Sequence, residues 1–259
     1  MTIPLPLARR VEDAGLNASA PPQQRWLDGW LVRFSPGKAK RARCVNAVAA
    51  GSLPIAQKLA LCQAVFDEAR LPLIVRVTPM SWPDKLDAWL EAQGMRAFDD
   101  TRVMVNPDIT KLVPEALSHD LTLHRVGHAA FAQIVGQLRG SPLSQQQAHA
   151  QRLELAPVPF EAWVLRRIDD GSVVACGQIA TEGDLVGLYD VFTAPTQRNR
   201  GLARSLCAHL LERAGQHARS RVGYLQVDAS NVAARAVYRR LGFSDAYAYH
   251  YRSAADAVD

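Results

Sequence analysis

The sequence lacks several features that would place it outside the ordinary globular class. It has only four cysteines in 259 residues, at positions 44, 62, 176 and 207. None belongs to a Cys-x-x-Cys pair or has a histidine at metal-ligand spacing, so we predict reduced thiols in a cytoplasmic protein and no metal site. No apolar run approaches the roughly 18–20 residues of a membrane helix. The first ten residues, MTIPLPLARR, lack the apolar core of a signal peptide, so we also predict a soluble protein with no membrane partner.

The charge and the aromatic content are both modest. The chain is 48% hydrophobic and 21% charged, with a formal net charge of +5. This excess of positive charge is compatible with an anionic ligand, but it is too small to indicate nucleic acid. A run of exposed aromatic residues, which would favour a single-stranded nucleic acid, is missing. The length suits one large domain or two small ones.

The most informative segment is a short basic turn, residues 198–203, with the sequence Arg-Asn-Arg-Gly-Leu-Ala. An apolar extended run precedes it at residues 185–193, and apolar residues at helical spacing follow it. Amide N–H groups at the start of a helix lack partners within that helix and lie at the positive end of its dipole. Gly201 has no Cβ to keep an anion away from them, and Arg198, Arg200 and Arg204 add positive charge. The pattern therefore predicts an anion site.

The hydrophobic periodicity of the C-terminal half predicts a mixed α/β sheet with helices on its faces. A linker with little strand pattern is expected at residues 106–119. The predicted strands after it are 121–126, 161–168, 173–180, 185–193, 224–229 and 246–251, and the predicted helices are 128–138, 143–155, 202–218 and 232–241.

The N-terminal half repeats the order of the last elements of the C-terminal half. Its pattern predicts helix 55–69, strand 73–77, helix 82–93 and strand 101–105. A constant separation of 148 positions aligns Gly94 with Gly242 and Val77 with Leu225. We infer a duplicated domain, with domains at residues 1–110 and 119–259. Two unrelated α/β domains with similar element order are the alternative.

The C-terminal half resembles the GNAT superfamily of acyl-CoA-dependent N-acyltransferases. The resemblance covers residues 119–253, and the N-terminal half looks like a degenerate GNAT domain. The whole chain is similar to two-domain members that begin with a Trp-x-x-Gly-Trp segment, here residues 26–30. The motifs that carry the resemblance are Arg198-x-x-Gly201-x-Ala203, preceded by Thr193-Ala194-Pro195, and Asn231 followed by Tyr238 and Leu241-Gly242-Phe243.

The resemblance implies a cofactor site for acetyl-CoA and no metal. The strand that ends at residue 193 would carry a bulge, and its free backbone groups would pair with the pantetheine arm, with the N–H of Val191 facing the thioester carbonyl. Asn231 would donate a hydrogen bond to the same arm, or simply cap its helix. The implied cofactor-binding residues are Val191, Phe192, Thr193, Arg198, Asn199, Arg200, Gly201, Leu202, Ala203, Arg204 and Asn231.

Two residues are candidates for proton transfer. By the resemblance, Tyr238 would protonate the departing thiolate; the alternative is a core aromatic residue. Asp190, beside Val191, is the first candidate for the general base, with Asp228 second and a chain of water molecules as a third reading.

We therefore predict an acetyl-CoA-dependent N-acetyltransferase that transfers an acetyl group to an amine by direct attack in a ternary complex. A non-catalytic acyl-CoA sensor is the alternative. The separation of 148 positions places Ala50 and Leu53 where Arg198 and Gly201 stand, so the N-terminal half is not expected to bind CoA. The amine acceptor is open among aminoglycosides, polyamines, amino acids, peptide N-termini and protein lysines, and a homodimer is open as well.

Overall fold

The fold is one sheet of eleven strands with helices on both faces, in the order β1-β2-β3-β4-β11-β5-β10-β9-β8-β7-β6. The computed structural model describes residues 2–35 and 39–254. The elements of the N-terminal half are α1 (Leu5–Ala18), β1 (Gln24–Leu27), β2 (Trp30–Arg33), β3 (Val45–Asn46), α2 (Ile55–Glu68), β4 (Val75–Val77), α3 (Leu86–Ala92) and β5 (Arg96–Asn106).

The C-terminal half contributes six strands and four helices. They are β6 (Leu121–Val126), α4 (His128–Arg139), α5 (Leu143–Glu154), β7 (Phe160–Arg167), β8 (Val173–Glu182), β9 (Leu185–Thr193), α6 (Leu202–His217), β10 (Val222–Asp228), α7 (Val232–Arg240) and β11 (Ser244–Ser253). Every predicted helix and strand of this half is present, with bounds that differ by a few residues.

The two halves repeat the same four elements. Helix α2, strand β4, helix α3 and strand β5 correspond to α6, β10, α7 and β11. Both β5 and β11 begin 148 positions apart, at Arg96 and Ser244. Both are preceded by a glycine in the left-handed region, Gly94 at φ +81° and Gly242 at φ +80°, which ends the helix before it. This repetition confirms the predicted tandem arrangement of the fold.

The last strands of the two halves are exchanged. Strand β5 pairs with β10 of the C-terminal half, and β11 pairs with β4 of the N-terminal half. The two exchanged strands also pair with each other. The division into domains at residues 1–110 and 119–259 stays a prediction. The last strand of each segment pairs with strands of the other segment.

The two faces of the sheet carry different helices. Alternate residues of the strands point to opposite faces, so Leu165 and Ala175 pack under α6 and α7, whereas Val164 and Cys176 pack under α4. Helix α6 is fully buried along Leu206 and Leu210. Burying each leucine side chain contributes about 1.5–3 kcal/mol, so this stripe holds the start of α6 firmly against β8 and β9.

Helix α1 and the β1–β2 hairpin were not predicted. Helix α1 packs against the C-terminal half, where Ala18 lies in the same cluster as Phe131 and Arg10 forms an ion pair with Asp184. Three elements differ from their predicted bounds. Helix α3 begins later than predicted, at Leu86, because residues 82–85 form turns, and β4 is shorter than predicted. Strand β5 is longer than predicted because it pairs along most of β11.

The cysteines are buried and unpaired in the described part of the chain. Burial raises the pKa of Cys176 and of Cys207 to about 12, so both stay as thiols at neutral pH. Within residues 2–35 and 39–254, no helix has the length and apolar character needed to cross a bilayer.

Candidate functional site

The predicted anion site lies at the start of α6, a helix of 16 residues. Gly201 is the residue before the helix and has φ +75°, and Asn199 two residues earlier has φ +62°. These left-handed residues turn successive amide groups to one side of the chain. Within the described residues, the N–H groups of residues 199–204 have no hydrogen-bond acceptor, and no side chain caps the helix. An open set of donors at a helix N-terminus is a site for an anion.

The arginines predicted to surround this site are present and mostly exposed. The guanidinium of Arg198 lies 5.7 Å from the centre of the Phe192 ring. Arg200 donates a hydrogen bond to Gln197, and Arg204 forms an ion pair with Glu115 at 3.0 Å. The ion pair of Arg204 is exposed and therefore contributes little to stability.

Strand β9 has a bulge at the place where the family resemblance implied one. The register against β8 shifts between Cys176 and Gln178, and Asp190 opposite this shift has φ +49°. The parallel ladder between β9 and β10 ends at Leu188 and Leu225. Beyond that pair the strands separate, so the backbone groups of residues 189–193 on the β10 side are left without strand partners. The result is a cleft that opens at the start of α6.

Asp190 lies in a cluster of cations at this bulge. Its carboxylate is 3.0 Å from Nη1 of Arg139, 3.2 Å from Nε2 of His149 and 3.9 Å from Nη2 of Arg152. Burial alone would raise the pKa of Asp190, but the adjacent His149, with the charges of Arg139 and Arg152, holds it well below its usual range. A carboxylate in this state is a weak proton acceptor, which is a physical argument against the prediction that Asp190 removes the proton directly.

The second predicted base, Asp228, stands at the end of β10. Its carboxylate accepts hydrogen bonds from the N–H and the hydroxyl of Ser230, and these bonds lower its pKa. Asp228 therefore shapes the turn that leads into α7.

Helix α7 carries the other two predicted residues. Asn231 caps the helix, because its Oδ1 accepts the N–H of Ala234 at 3.1 Å, and its Nδ2 is left to donate elsewhere. Tyr238 is 9% exposed and packs in the cluster that contains Cys207 of α6. Burial, with Cys207 as a smaller cause, raises the pKa of Tyr238, so its phenol keeps the proton that a general acid must supply. In the described part of the chain, its hydroxyl has no hydrogen-bond partner.

Tyr238 and Asp190 lie on opposite faces of the sheet. Tyr238 belongs to the face of α6 and α7, whereas the partners of Asp190 come from α4 and α5. The cleft between β9 and β10 lies between these two faces.

The equivalent site of the N-terminal half is occupied by a side chain of the protein itself. Asp28, at the tip of the β1–β2 hairpin, accepts the N–H of Ser52 at 2.9 Å and the N–H of Leu53 at 2.9 Å. Nζ of Lys58 is 3.0 Å from the same carboxylate. The backbone hydrogen bonds of Ser52 and Leu53 hold the pKa of Asp28 well below its usual range. Ser52 and Leu53 precede α2 as residues 200 and 201 precede α6, so the carboxylate takes the place of an external anion.

Three functional candidates were missed in the sequence: Asp28, His149 and Arg152. His149 and Arg152 are three residues apart and share one face of α5, a spacing that is visible in the sequence. Their partner, Asp190, lies three elements away along the chain, and the sequence carries no signal that joins them. The contact between Asp28 and the amide of Ser52 also joins two segments that are far apart in the sequence, and no local pattern indicates it.

Part of the chain matches a known protein family. Residues 130–243 match the model of the Acetyltransferase (GNAT) family. A GCN5-related N-acetyltransferase from Kribbella flavida has a TM-score of 0.70 and 17% identity, over 96% of this chain and 96% of that chain. A comparison with curated protein sequences gives no match.

Two further solved structures have the same fold. The tandem GNAT protein from the clavulanic acid biosynthesis pathway, without AcCoA, has a TM-score of 0.65 and 16% identity, over 78% of this chain and 71% of that chain. A GCN5-related N-acetyltransferase from Sphaerobacter thermophilus has a TM-score of 0.58 and 18% identity, over 76% of this chain and 65% of that chain. The chain thus has the tandem GNAT fold, and its residues 130–243, which contain the turn before α6 and the diverging ends of β9 and β10, match the GNAT acetyltransferase family.

Proposed function

We propose that this protein is an acetyl-CoA-dependent N-acetyltransferase whose C-terminal half binds the cofactor and transfers its acetyl group to an amine. The observation that carries the proposal is the set of unpaired amide groups at residues 199–204, at the mouth of a cleft between two separated strands. The N-terminal half, where Asp28 fills the equivalent place, would bind no CoA.

The cofactor would bind along the cleft. The N–H groups of residues 199–204 would hold the pyrophosphate, with Arg198, Arg200 and Arg204 around it. The free backbone groups of Val191, Phe192 and Thr193 would pair with the pantetheine amides as an added strand does. The free Nδ2 of Asn231 would donate to the same arm from the other wall.

The transfer step would use groups on both faces of the sheet. The amine attacks the thioester carbonyl, whose oxygen takes up negative charge near the N–H of Val191. The carbon–sulfur bond then breaks, and the thiolate takes the proton of the Tyr238 hydroxyl. No covalent acyl-enzyme is required, because both substrates are held in one cleft.

The amine must also lose a proton. We propose that the neutral form of His149 accepts it, directly or through water, and that Asp190 orients the imidazole ring and stabilises the protonated form that results. Asp190 would then act at 3.2 Å through His149 and not as the base itself. A His149→Gln variant should lose about 10²–10⁴-fold in kcat while its affinity for CoA stays unchanged.

The decisive experiment is calorimetric titration of CoA into the full chain, together with an acceptor screen that follows release of free CoA. Gly201→Ala places a methyl group at the anion site and should weaken CoA binding at least tenfold. Gly183→Ala is the matched control, since both glycines have positive φ, at +75° and +59°, and open space around the missing Cβ. No heat with the intact protein, or equal loss in both variants, would refute the cofactor site. Binding without transfer to any amine would favour a non-catalytic acyl-CoA sensor.

A further inference from the structure

The N-terminal half has a cavity of its own. Its volume is about 440 Å³, within the range of about 300–1,000 Å³ that is usual for small-molecule sites. Strands β3 and β4 pair in parallel as far as Asn46 and Arg76. Beyond this pair, residues 47–50 and most of residues 78–82 line the cavity on one side, and α1 lines it on the other. The cavity thus lies at the carboxyl ends of two parallel strands, where α/β sheets commonly bind ligands.

The two walls of this cavity differ in character. Helix α1 presents three charged residues, Arg9, Glu12 and Asp13, within little more than one turn. The opposite wall is mainly apolar, with Ala47, Val48, Ala49, Ala50, Met80 and Trp82. The Trp82 side chain is 46% exposed, so part of this apolar wall is open to a ligand. A small molecule with a charged end and an apolar end would match both walls.

Glu12 is engaged within the protein. Its carboxylate accepts hydrogen bonds from both terminal nitrogens of Arg76, with Nη2 at 3.1 Å, and from the Tyr247 hydroxyl at 2.7 Å. Glu12 and Arg76 are both buried, so this ion pair is a fixed, neutral part of the cavity. Asn46 lies beside it and is 3% exposed, and its Oδ1 accepts only the thiol of Cys44 at 3.8 Å. That oxygen remains a possible acceptor for an N–H group of a ligand.

Arg9 and Asp13 keep their charges free for a ligand. In residues 2–35 and 39–254, the ion pairs that α1 forms within 4.0 Å are Arg10–Asp184 and Glu12–Arg76. Residues four positions apart share one face of a helix, with Cβ atoms about 5–6 Å apart. One positive and one negative side chain therefore stand next to each other at the same cavity. An α-amino acid carries the complementary pair, an ammonium group and a carboxylate on one carbon atom.

We propose that this cavity binds an α-amino acid with an apolar side chain. Asp13 binds the ammonium group, Arg9 binds the carboxylate, and the side chain packs on the wall that contains Trp82. Coenzyme A is not the ligand, because Asp28 already accepts the amides of Ser52 and Leu53 that would hold a pyrophosphate. The site belongs to β3 and β4, whereas the cleft for the cofactor lies between β9 and β10, so the inference does not rest on the proposed transferase function.

The test is calorimetric titration of leucine, methionine and phenylalanine into the full chain without CoA. Each amino acid is compared with its carboxamide, which lacks the carboxylate, and with its N-acetyl derivative, which lacks the ammonium group. Hydrogen bonds to a charged group correspond to a preference of about 10–100-fold, so the amino acid should bind at least about tenfold more tightly than either derivative.

Two variants assign the charges of the ligand to the two residues. Asp13→Asn should weaken binding of the amino acids and leave that of the N-acetyl derivatives unchanged, and Arg9→Gln should do the same with respect to the carboxamides. Both residues are exposed, so the fold should tolerate either change. Glu68→Gln and Arg96→Gln are the matched controls, because they remove the same charges at exposed positions outside the cavity.

A third variant separates this site from the cofactor cleft. Gly201→Ala should weaken CoA binding and leave amino-acid binding unchanged; loss of both would place the amino acid in the cofactor cleft and overturn the second site. The inference would also be overturned if no amino acid gave heat, if the derivatives bound as tightly as their parent amino acids, or if the Arg9 and Asp13 variants behaved like their controls. Because these titrations contain no acetyl donor, a failure of the transferase proposal would not alter their outcome.

Discussion

The carboxylate of Asp28 accepts the amide N–H of Leu53 at 2.9 Å, in the half of the chain where no cofactor is expected. Leu53 corresponds to Gly201, whose amide is free. The two halves thus keep the same anion-binding geometry, but in the N-terminal half the amide groups donate to a side chain of the protein itself.

We predict that Asp28→Asn lowers Tm and leaves CoA binding at one molecule per chain with unchanged affinity. The neutral side chain no longer attracts Lys58 and accepts the amides of Ser52 and Leu53 less strongly. Thermal unfolding and calorimetry measure the two effects. Asp84→Asn, at an exposed residue before α3, is the control. A second CoA per wild-type chain would contradict the assignment.

We predict that Tyr238→Phe lowers kcat by about 10²–10⁴-fold and changes the Kd for CoA and the Tm little. The phenol loses only its hydroxyl, which has no hydrogen-bond partner among the described residues, so packing in the α6–α7 cluster is retained. Steady-state kinetics with acetyl-CoA and a reactive amine provide the measurement. Unchanged kcat would exclude the acid role and leave the cofactor site intact.

The ion pairs of Asp190 predict a pH dependence of stability. Because its pKa is lower in the folded state than in the unfolded state, its contribution is complete above about pH 4 and decreases as the pH falls towards the folded value. At pH 7 we expect Asp190→Asn to lower the free energy of unfolding by about 1–3 kcal/mol.

Urea unfolding of the wild type and Asp190→Asn at pH 7, 5, 4 and 3 tests this linkage. The difference between them should stay constant down to about pH 4 and shrink below it. A difference that grows on acidification would show that the carboxylate is not held in its charged form by its cationic neighbours.

The strand exchange predicts that residues 119–259 do not fold alone. Without β5, strand β10 is an open edge and β11 loses both of its neighbours. We expect aggregated material from this fragment and recovery of soluble, CoA-binding protein when residues 1–118 are co-expressed with it. A monomeric fragment that binds CoA as tightly as the intact chain would argue for two independent domains.

The sequence predicted elements that rest on local pattern. The apolar spacing of α6, the turns at Gly171 and Gly183, and the run of β9 are all short-range signals. Helix α1 was not predicted: two prolines stand at its start, and its buried face contains small residues such as Ala8, Ala14 and Gly15.

The parts of the candidate site also differ in whether a local sequence pattern indicates them. The amide groups before α6 follow from a contiguous motif, and the bulge near Val191 was implied by the family resemblance. The contacts of His149 and Asp28 join segments far apart in the chain, and the exchange of β5 with β11 depends on which edges meet in the finished sheet. Local periodicity contains no information on either.

The placement of β11 has a consequence for synthesis of the chain. This strand, residues 244–253, fills the gap between β4 and β5, which leave the ribosome long before it. Until residues 244–253 emerge, both earlier strands present unsatisfied edges, and the nascent chain must be protected from joining a neighbour. Maturation of the N-terminal half is therefore timed by a segment that is translated well after it.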